Sequence, residues 1–162
     1  MSKGHILYLS TGSNIGNRKD NLARAYQLIQ DRIGTVIRQS SLYETEAWGI
    51  QNQRVFFNQI LYIHTKLSVE EVLECMKDIE SEMGRIREDK WKERIIDIDI
   101  LFYDDLIYES PDLTVPHPHL HNRNFILVPF LEIAPEYVHP KLNQSMRELY
   151  FACSDPLKVY LN

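Results

Sequence analysis

The sequence predicts an α+β protein: a mostly antiparallel sheet with helices packed on it, followed by a C-terminal elaboration. Two observations predict it. Strand-like and helix-like apolar spacing follow one another in the order β-α-β-β-α-β. Each of the two helical stretches also opens on its own start signal and ends at a glycine. That order is the ferredoxin-like, split βαβ arrangement, which stacks both helices on one face of the sheet.

Ile6 to Ser10 is a short apolar run and reads as the first strand. Thr11-Gly12-Ser13-Asn14-Ile15-Gly16 is rich in turn residues and reads as a loop. Asn17 is the expected N-cap of a helix, with Asp20 in its first turn. Leu22, Ala25, Tyr26, Ile29 and Ile33 recur at helical spacing, and Gly34 is placed to close the helix. Val36 to Tyr43 reads as a second strand with poor alternation, and Phe56 to Thr65 as a third, rich in aromatic and β-branched residues. Ser68-Val69-Glu70-Glu71 has the form of a capping box. Val69, Val72, Leu73, Met76, Ile79 and Met83 then share a helical face, and Gly84 follows as the C′ residue. A charged stretch, Arg85 to Arg94, leads to a fourth strand, Ile95 to Tyr103. From Leu106 onward the chain is more irregular, with a short helix expected near Asn122 to Leu131 and another opened by Ser145-Met146-Arg147-Glu148.

A chain of 162 residues fits one domain, 1–162. Such a chain buries roughly 70% of its unfolded surface without staples. Its composition, 44% hydrophobic and 25% charged, is that of a soluble globular protein. A net charge of −5 argues against a general nucleic-acid binder. The apolar run His5 to Leu9 is too short for a signal segment or a membrane span. Two cysteines make no disulfide framework. The expectation is a cytoplasmic monomer with small-molecule substrates and neither nucleic acid nor membrane as partner.

The most informative residues are Asp97 and Asp99 in Ile95-Ile96-Asp97-Ile98-Asp99-Ile100-Leu101-Phe102. Strand side chains alternate faces, so Ile96, Ile98, Ile100 and Phe102 are expected on the core side and both aspartates on the other, roughly 7 Å apart. Like charges so close repel unless a cation lies between them. Their hard oxygens suit Mg²⁺, and two ions about 3.5–4 Å apart are within reach of the pair. The plain alternative is the solvent face of a half-buried strand, which accounts for one Asp more easily than two.

The preceding segment, Gly84-Arg85-Ile86-Arg87-Glu88-Asp89-Lys90-Trp91-Lys92-Glu93-Arg94, is basic and begins on glycine. Arginine forks match phosphate oxygens, so a polyphosphate substrate would suit this approach; a solvated charged loop is the alternative. Glu80 falls on the apolar side of its helix, either snorkelling at the core edge or turned into a site. His117, His119 and His121 alternate, but Pro116 and Pro118 exclude a regular central strand, and a phosphate contact suits this segment better than zinc. Phe56 and Phe125 have the flat faces to sandwich a heterocycle, or are ordinary core residues. P-loop, dinucleotide, nucleophile-elbow and H-E-x-x-H motifs do not occur.

Together these motifs resemble the 6-hydroxymethyl-7,8-dihydropterin pyrophosphokinase family from about Ile6 to Pro135. The resemblance is carried by Gly12-Ser13-Asn14, Phe57-Asn58, Glu80, Gly84-Arg85-Ile86-Arg87, Trp91, Arg94 through Ile100, Leu113 through His117 and Asn122-Arg123-Asn124-Phe125, in that order. It implies transfer of diphosphate from ATP to the hydroxymethyl group of the pterin, releasing AMP, in folate biosynthesis. It implies Asp97 and Asp99 as ligands of two Mg²⁺ ions. Arg85 and Arg94 join them as catalytic residues on mobile loops. Glu80, Arg87, Trp91, Arg94, Ile100, Thr114, His117 and Arg123 are implied around ATP. Thr45, Trp48, Phe56, Asn58, Asp97 and Phe125 are implied around the pterin. The chain departs from the family pattern at Lys92-Glu93, often Gly-Pro, at Glu46-Ala47-Trp48-Gly49, often proline-containing, and at Phe56, Tyr in some relatives. A nucleotidyltransferase, which would release pyrophosphate, and a non-catalytic sensor, which would bind without turnover, are the rival readings.

Overall fold

The computed structural model describes residues 3–45, 55–84 and 95–162. β1 (His5–Ser13) is followed by α1 (Arg18–Arg32), β2 (Gly34–Gln39), β3 (Tyr43–Thr45), β4 (Phe56–Thr65) and α2 (Val69–Glu82). β5 (Asp97–Tyr103), β6 (Tyr108–Glu109), β7 (Thr114–Val115), a 3₁₀ turn (Leu120–Asn122), α3 (Asn124–Ile133), α4 (Met146–Ala152) and β8 (Val159–Leu161) complete it. The main sheet runs β5-β1-β4-β3-β8, with β2 beside β3 on the same edge of β4, and every pairing is antiparallel. With β2 and β3 taken as one interrupted strand, this is the expected βαββαβ core.

Local chemistry accounts for the elements. Asn17 accepts from the Asp20 amide to open α1, and both halves of the capping box at Ser68 and Glu71 form, as they do at Ser145 and Glu148 of α4. Gly84 has a φ of 88°, the left-handed conformation expected of a helix-closing glycine. Gly34 does not close α1, which ends at Ile33; it opens β2. A Cβ there would lie 2.2 Å from the His64 carbonyl oxygen, so the close approach of β2 to β4 requires glycine. The strand expected over Val36 to Tyr43 is broken: the pairing register shifts between Val36 and Arg38, and Ser40 leaves the ladder to accept the Ile60 amide on its Oγ.

Both faces of the sheet are covered. Leu7, Leu9, Leu61, Ile63, Ile96, Ile98 and Ile100 face Leu22, Ala25, Ile29, Val72, Met76 and Ile79 of α1 and α2. Tyr8, Ile60, Leu101 and Phe102 face Ile126, Leu127 and Phe130 of α3 and Met146 and Leu149 of α4. The C-terminal elaboration thus supplies the lid that a two-layer fold lacks. It also corrects one expectation: Phe102 is on the α3 side, not with Ile96, Ile98 and Ile100. The register between β1 and β5 slips at Tyr8/Leu9, where Leu101 is the extra residue, and a one-residue bulge exchanges the faces beyond it.

His139, 3% exposed, holds the turn before α4: its Nδ1 accepts from the amides of Lys141 and Leu142, and its ring meets Phe102 edge-on. Burial, with His121 and Lys141 nearby, lowers its pKa from 6.5 to about 4. Between those values the unfolded chain takes up a proton that the folded chain refuses. Stability is therefore complete above about pH 6.5 and falls toward pH 4, by on the order of 3 kcal/mol for such a group. His139→Asn keeps an acceptor and cannot titrate, so urea midpoints from pH 7 to pH 4.5 should fall less steeply in the variant than in the wild type.

Candidate active site

The site is built on the α3 face of the sheet, at the end away from Phe102. Asp97 and Asp99 are both half-buried, at alternate positions of β5. Across the ladder Asp97 stands opposite Gly12 and Asp99 opposite Ser10 of β1, so small neighbours flank both carboxylates. Gly12 is in turn opposite Asn58 of β4, and Asn58 opposite Tyr43 of β3. Asp97, Gly12 and Asn58 thus form one row across three strands, a row that exists because β1 continues through Gly12 to Ser13. The segment Thr11 to Ser13, expected as loop, is strand because β1 is central and paired on both sides.

Asn58 and Thr45 are buried polar residues that satisfy each other: Asn58 Nδ2 donates to Thr45 Oγ1 at 3.1 Å. A Cβ on Gly12 would lie 2.7 Å from Asn58 Oδ1 and 3.6 Å from a ring carbon of Phe56. The bare Gly12 backbone is what lets the amide lie where it does. Phe56, half-buried, is opposite Thr45 and on the same face of β4 as Asn58.

Glu80 is neither snorkelling nor exposed. It is 3% exposed, and its Oε2 accepts the Ile98 amide at 3.1 Å, satisfying the outer edge of β5 between the two aspartates. Ile100 is 3% exposed within the α1/α2 core, so its side chain is turned away from the aspartates and only its backbone reaches the strand edge. Thr114, half-buried, pairs with Glu109 in the β6–β7 hairpin, and the chain then returns to the sheet through the His117 amide, which donates to the Leu101 carbonyl at 3.1 Å. His117 Nδ1 accepts from the His119 amide at 3.2 Å. Burial, reinforced by Arg123 and His119, pushes its pKa down to about 4. It is a neutral ring at pH 7, with its proton on Nε2 as a donor. Arg123 immediately precedes α3 with its guanidinium 5.6 Å from the Phe125 ring centroid, and Phe125 packs partly against the α3-side core.

The structure therefore brings Asp97, Asp99, Thr45, Phe56 and Asn58 onto one face, with Phe125 on the helix that covers that face. Trp48, Arg85, Arg87, Trp91 and Arg94 lie outside the described residues. Among the described residues no three His, Cys, Asp or Glu side chains form a closed metal cage. Two carboxylates with small neighbours are the donor set of a Mg²⁺ site that is completed by water and phosphate oxygens, so the residues present fit that ion. Gly12, which the sequence reading placed in a loop, is the strand position over which the Asn58 amide lies; its signal is a glycine two residues beyond the first strand run.

The chain matches the family model described as 7,8-dihydro-6-hydroxymethylpterin-pyrophosphokinase over residues 8–135. It is 39% identical over 142 residues to the 2-amino-4-hydroxy-6-hydroxymethyldihydropteridine pyrophosphokinase of Aquifex aeolicus, covering 88% of each chain. The protein of that name from Bacillus subtilis is 40% identical over 133 residues, covering 82% of this chain and 80% of its own. The folic acid synthesis protein fol1 of Schizosaccharomyces pombe is 40% identical over 148 residues, and there the match spans 91% of this chain but 20% of the relative. In three dimensions the chain is similar to Plasmodium falciparum HPPK-DHPS crystallised with pteroate, with a TM-score of 0.76 at 19% identity, over 94% of this chain and 43% of that one.

Proposed function

Since the chain belongs to the 7,8-dihydro-6-hydroxymethylpterin-pyrophosphokinase family and is a pyrophosphokinase of folate biosynthesis, we propose that it uses ATP with Mg²⁺, as a cytoplasmic monomer of one domain. The hydroxymethyl oxygen of the pterin attacks the β-phosphorus of ATP, a diphosphate is transferred, and AMP leaves. The observation that carries this reading is the row Asp97, Gly12, Asn58: the carboxylate pair and the hydrogen-bonded Asn58–Thr45 pair share one face of one sheet.

Asp97 and Asp99 would hold two Mg²⁺ ions, which would supply neutralisation of phosphate charge. Asp97, in the same row as Asn58, also receives the hydroxymethyl proton. Asn58, held by Thr45, hydrogen-bonds the pterin ring, while Phe56 and Phe125 supply aromatic faces for stacking. Trp48 contributes to the same pocket. Neutral His117 donates from Nε2 to a phosphate oxygen and Arg123 adds charge. Thr114, the edge of β5 at Ile100, and Glu80, through its hold on Ile98, line the nucleotide side. Arg85, Arg87, Trp91 and Arg94 complete the phosphate contacts and close over the substrates. Such a protein works by positioning and charge stabilisation and by keeping water from ATP.

The direct test is a product assay with ATP, Mg²⁺ and 6-hydroxymethyl-7,8-dihydropterin that resolves AMP, ADP and pyrophosphate. AMP in step with a pterin diphosphate is expected. ADP would mean ordinary phosphoryl transfer, pyrophosphate would mean nucleotidyl transfer, and binding without turnover would mean a sensor; each would overturn the proposal. A second expectation concerns pH. Because His117 is already neutral well below pH 6, kcat/KM for ATP should show no inflection near pH 6.5 that disappears in His117→Gln. Loss of such an inflection in the variant would mean that His117 works as a cation.

A further inference from the structure

Residues 153–162 lie outside the segment that matches the family model, and none belongs to the proposed site. They nevertheless touch two elements that carry it. α3 starts directly after Arg123, whose side chain makes no capping bond, and the first-turn N–H groups of a helix need acceptors. The acceptor arrives from the far end of the chain: Asp155 Oδ2 takes the Asn124 amide at 2.9 Å. Asp155 Oδ1 takes the Leu157 amide at 2.9 Å, which bends the tail toward the sheet. A carboxylate is also the favoured charge at a helix N-terminus.

The tail then enters β8, where Val159 stands opposite Thr45, Tyr160 opposite Glu44 and Leu161 opposite Tyr43. Asn162 finishes the attachment: its amide donates to the Leu42 carbonyl and its side chain to Glu44, both at 3.0 Å. One short segment therefore joins the first turn of α3, with Arg123 and Phe125, to the strand that bears Thr45. The other end of α3 is tied separately. Arg38 donates to the Ile133 carbonyl, and Glu132 accepts from Ser41 and Tyr43. Asp155 is half-buried and adds no apolar surface to either core, so its loss would loosen the first turn of α3 without opening a cavity.

We propose that Asp155 is a positioning residue for pterin recognition, acting through the Asn124 amide to hold Phe125 in register with the Thr45–Asn58 pair. The inference rests on the proposed pterin contacts of Thr45, Asn58 and Phe125. Asp155→Ala should raise KM for 6-hydroxymethyl-7,8-dihydropterin by about 5-fold, with a smaller rise in KM for ATP through Arg123, which adjoins the same amide, and kcat within about twofold of wild type. Asp155→Asn, which keeps an oxygen for the amide, should restore most of the loss. Asn124→Pro removes the donor at a position where a helix tolerates proline, and Arg123 already has the extended backbone that proline demands of its predecessor. It should reproduce the effect, and the double variant should add nothing. Asn58→Ala, run beside these, separates two failures. If it raises the pterin KM and folded Asp155→Ala and Asn124→Pro do not, the positioning role is wrong. If Asn58→Ala also leaves pterin kinetics unchanged, the site reading fails and the inference fails with it. An equal rise in both substrates' KM together with a lower melting temperature, unrelieved by Asp155→Asn, would mark a purely structural cap and overturn the proposal.

Discussion

Asp97→Ala and Asp99→Ala, made separately, should each lower kcat by at least about 10³-fold while the protein stays folded. The size of the effect follows from the metal-holding role proposed for the pair. Each carboxylate offers hard oxygen and negative charge on the α3 face, and neither is part of a core. Their cross-strand neighbours on β1 are the small residues Gly12 and Ser10. Thermal melts in EDTA separate any change in stability from the loss of turnover. The isosteric Asp97→Asn and Asp99→Asn should lose nearly as much activity as the alanines, because shape is kept and charge is not. Measurement of AMP formation under saturating substrates, beside thermal melts with and without Mg²⁺, decides the matter. A folded variant that turns over near the wild-type rate would sink the metal assignment. So would a Mg²⁺-dependent rise in wild-type melting temperature, in the presence of a non-hydrolysable ATP analogue, that both variants retain in full.

The aspartate pair was legible in the sequence because it depends only on the two-residue period of a strand, and Asp97 to Ile100 keeps that period. Phe102 was misplaced by the same rule, because Leu101 inserts a bulge and the rule contains no signal for one. The two capping boxes and Asn17 were legible because a cap is a local bond between residues three apart. β8 was invisible for the opposite reason: three residues, two of them largely exposed, become a strand only by adding to the edge of β3. The role of Glu80 was half legible. Its position on an apolar helical face announced an unusual carboxylate, but its partner, the Ile98 amide, belongs to a strand 18 residues away and follows only from the packing of α2 on β5. Thr11-Gly12-Ser13 has the composition of a loop and is held as strand by pairing on both sides, a case of tertiary context overriding local preference.

That reversal at Gly12 leads to the second large effect. Gly12→Ala should lower kcat/KM for the pterin by about 100-fold and leave KM for ATP and the melting temperature nearly unchanged. The φ of Gly12 is not among the positive values of the chain, so the backbone accepts a side chain, and replacing glycine in a strand is if anything stabilising, by up to about 1 kcal/mol. The added methyl instead meets Asn58 Oδ1 at 2.7 Å, the flexible end of a side chain, while the Phe56 ring at 3.6 Å is at ordinary contact distance and can stay. Asn58 must rotate, and rotation breaks its bond to Thr45 Oγ1. A buried amide that no longer faces its ring partner leaves polar groups on both sides unpaired, and an unmade bond of that kind is what makes discrimination steep. Gly12→Ala and Asn58→Ala should therefore share one kinetic signature, and the double variant should be little worse than either. Pterin-binding titrations beside steady-state kinetics for both substrates provide the check. Wild-type pterin affinity in Gly12→Ala would mean that the amide is not held over Gly12 for the substrate. A loss shared equally between pterin and ATP would mean that the methyl disturbs the Asp97 strand and not the pterin floor.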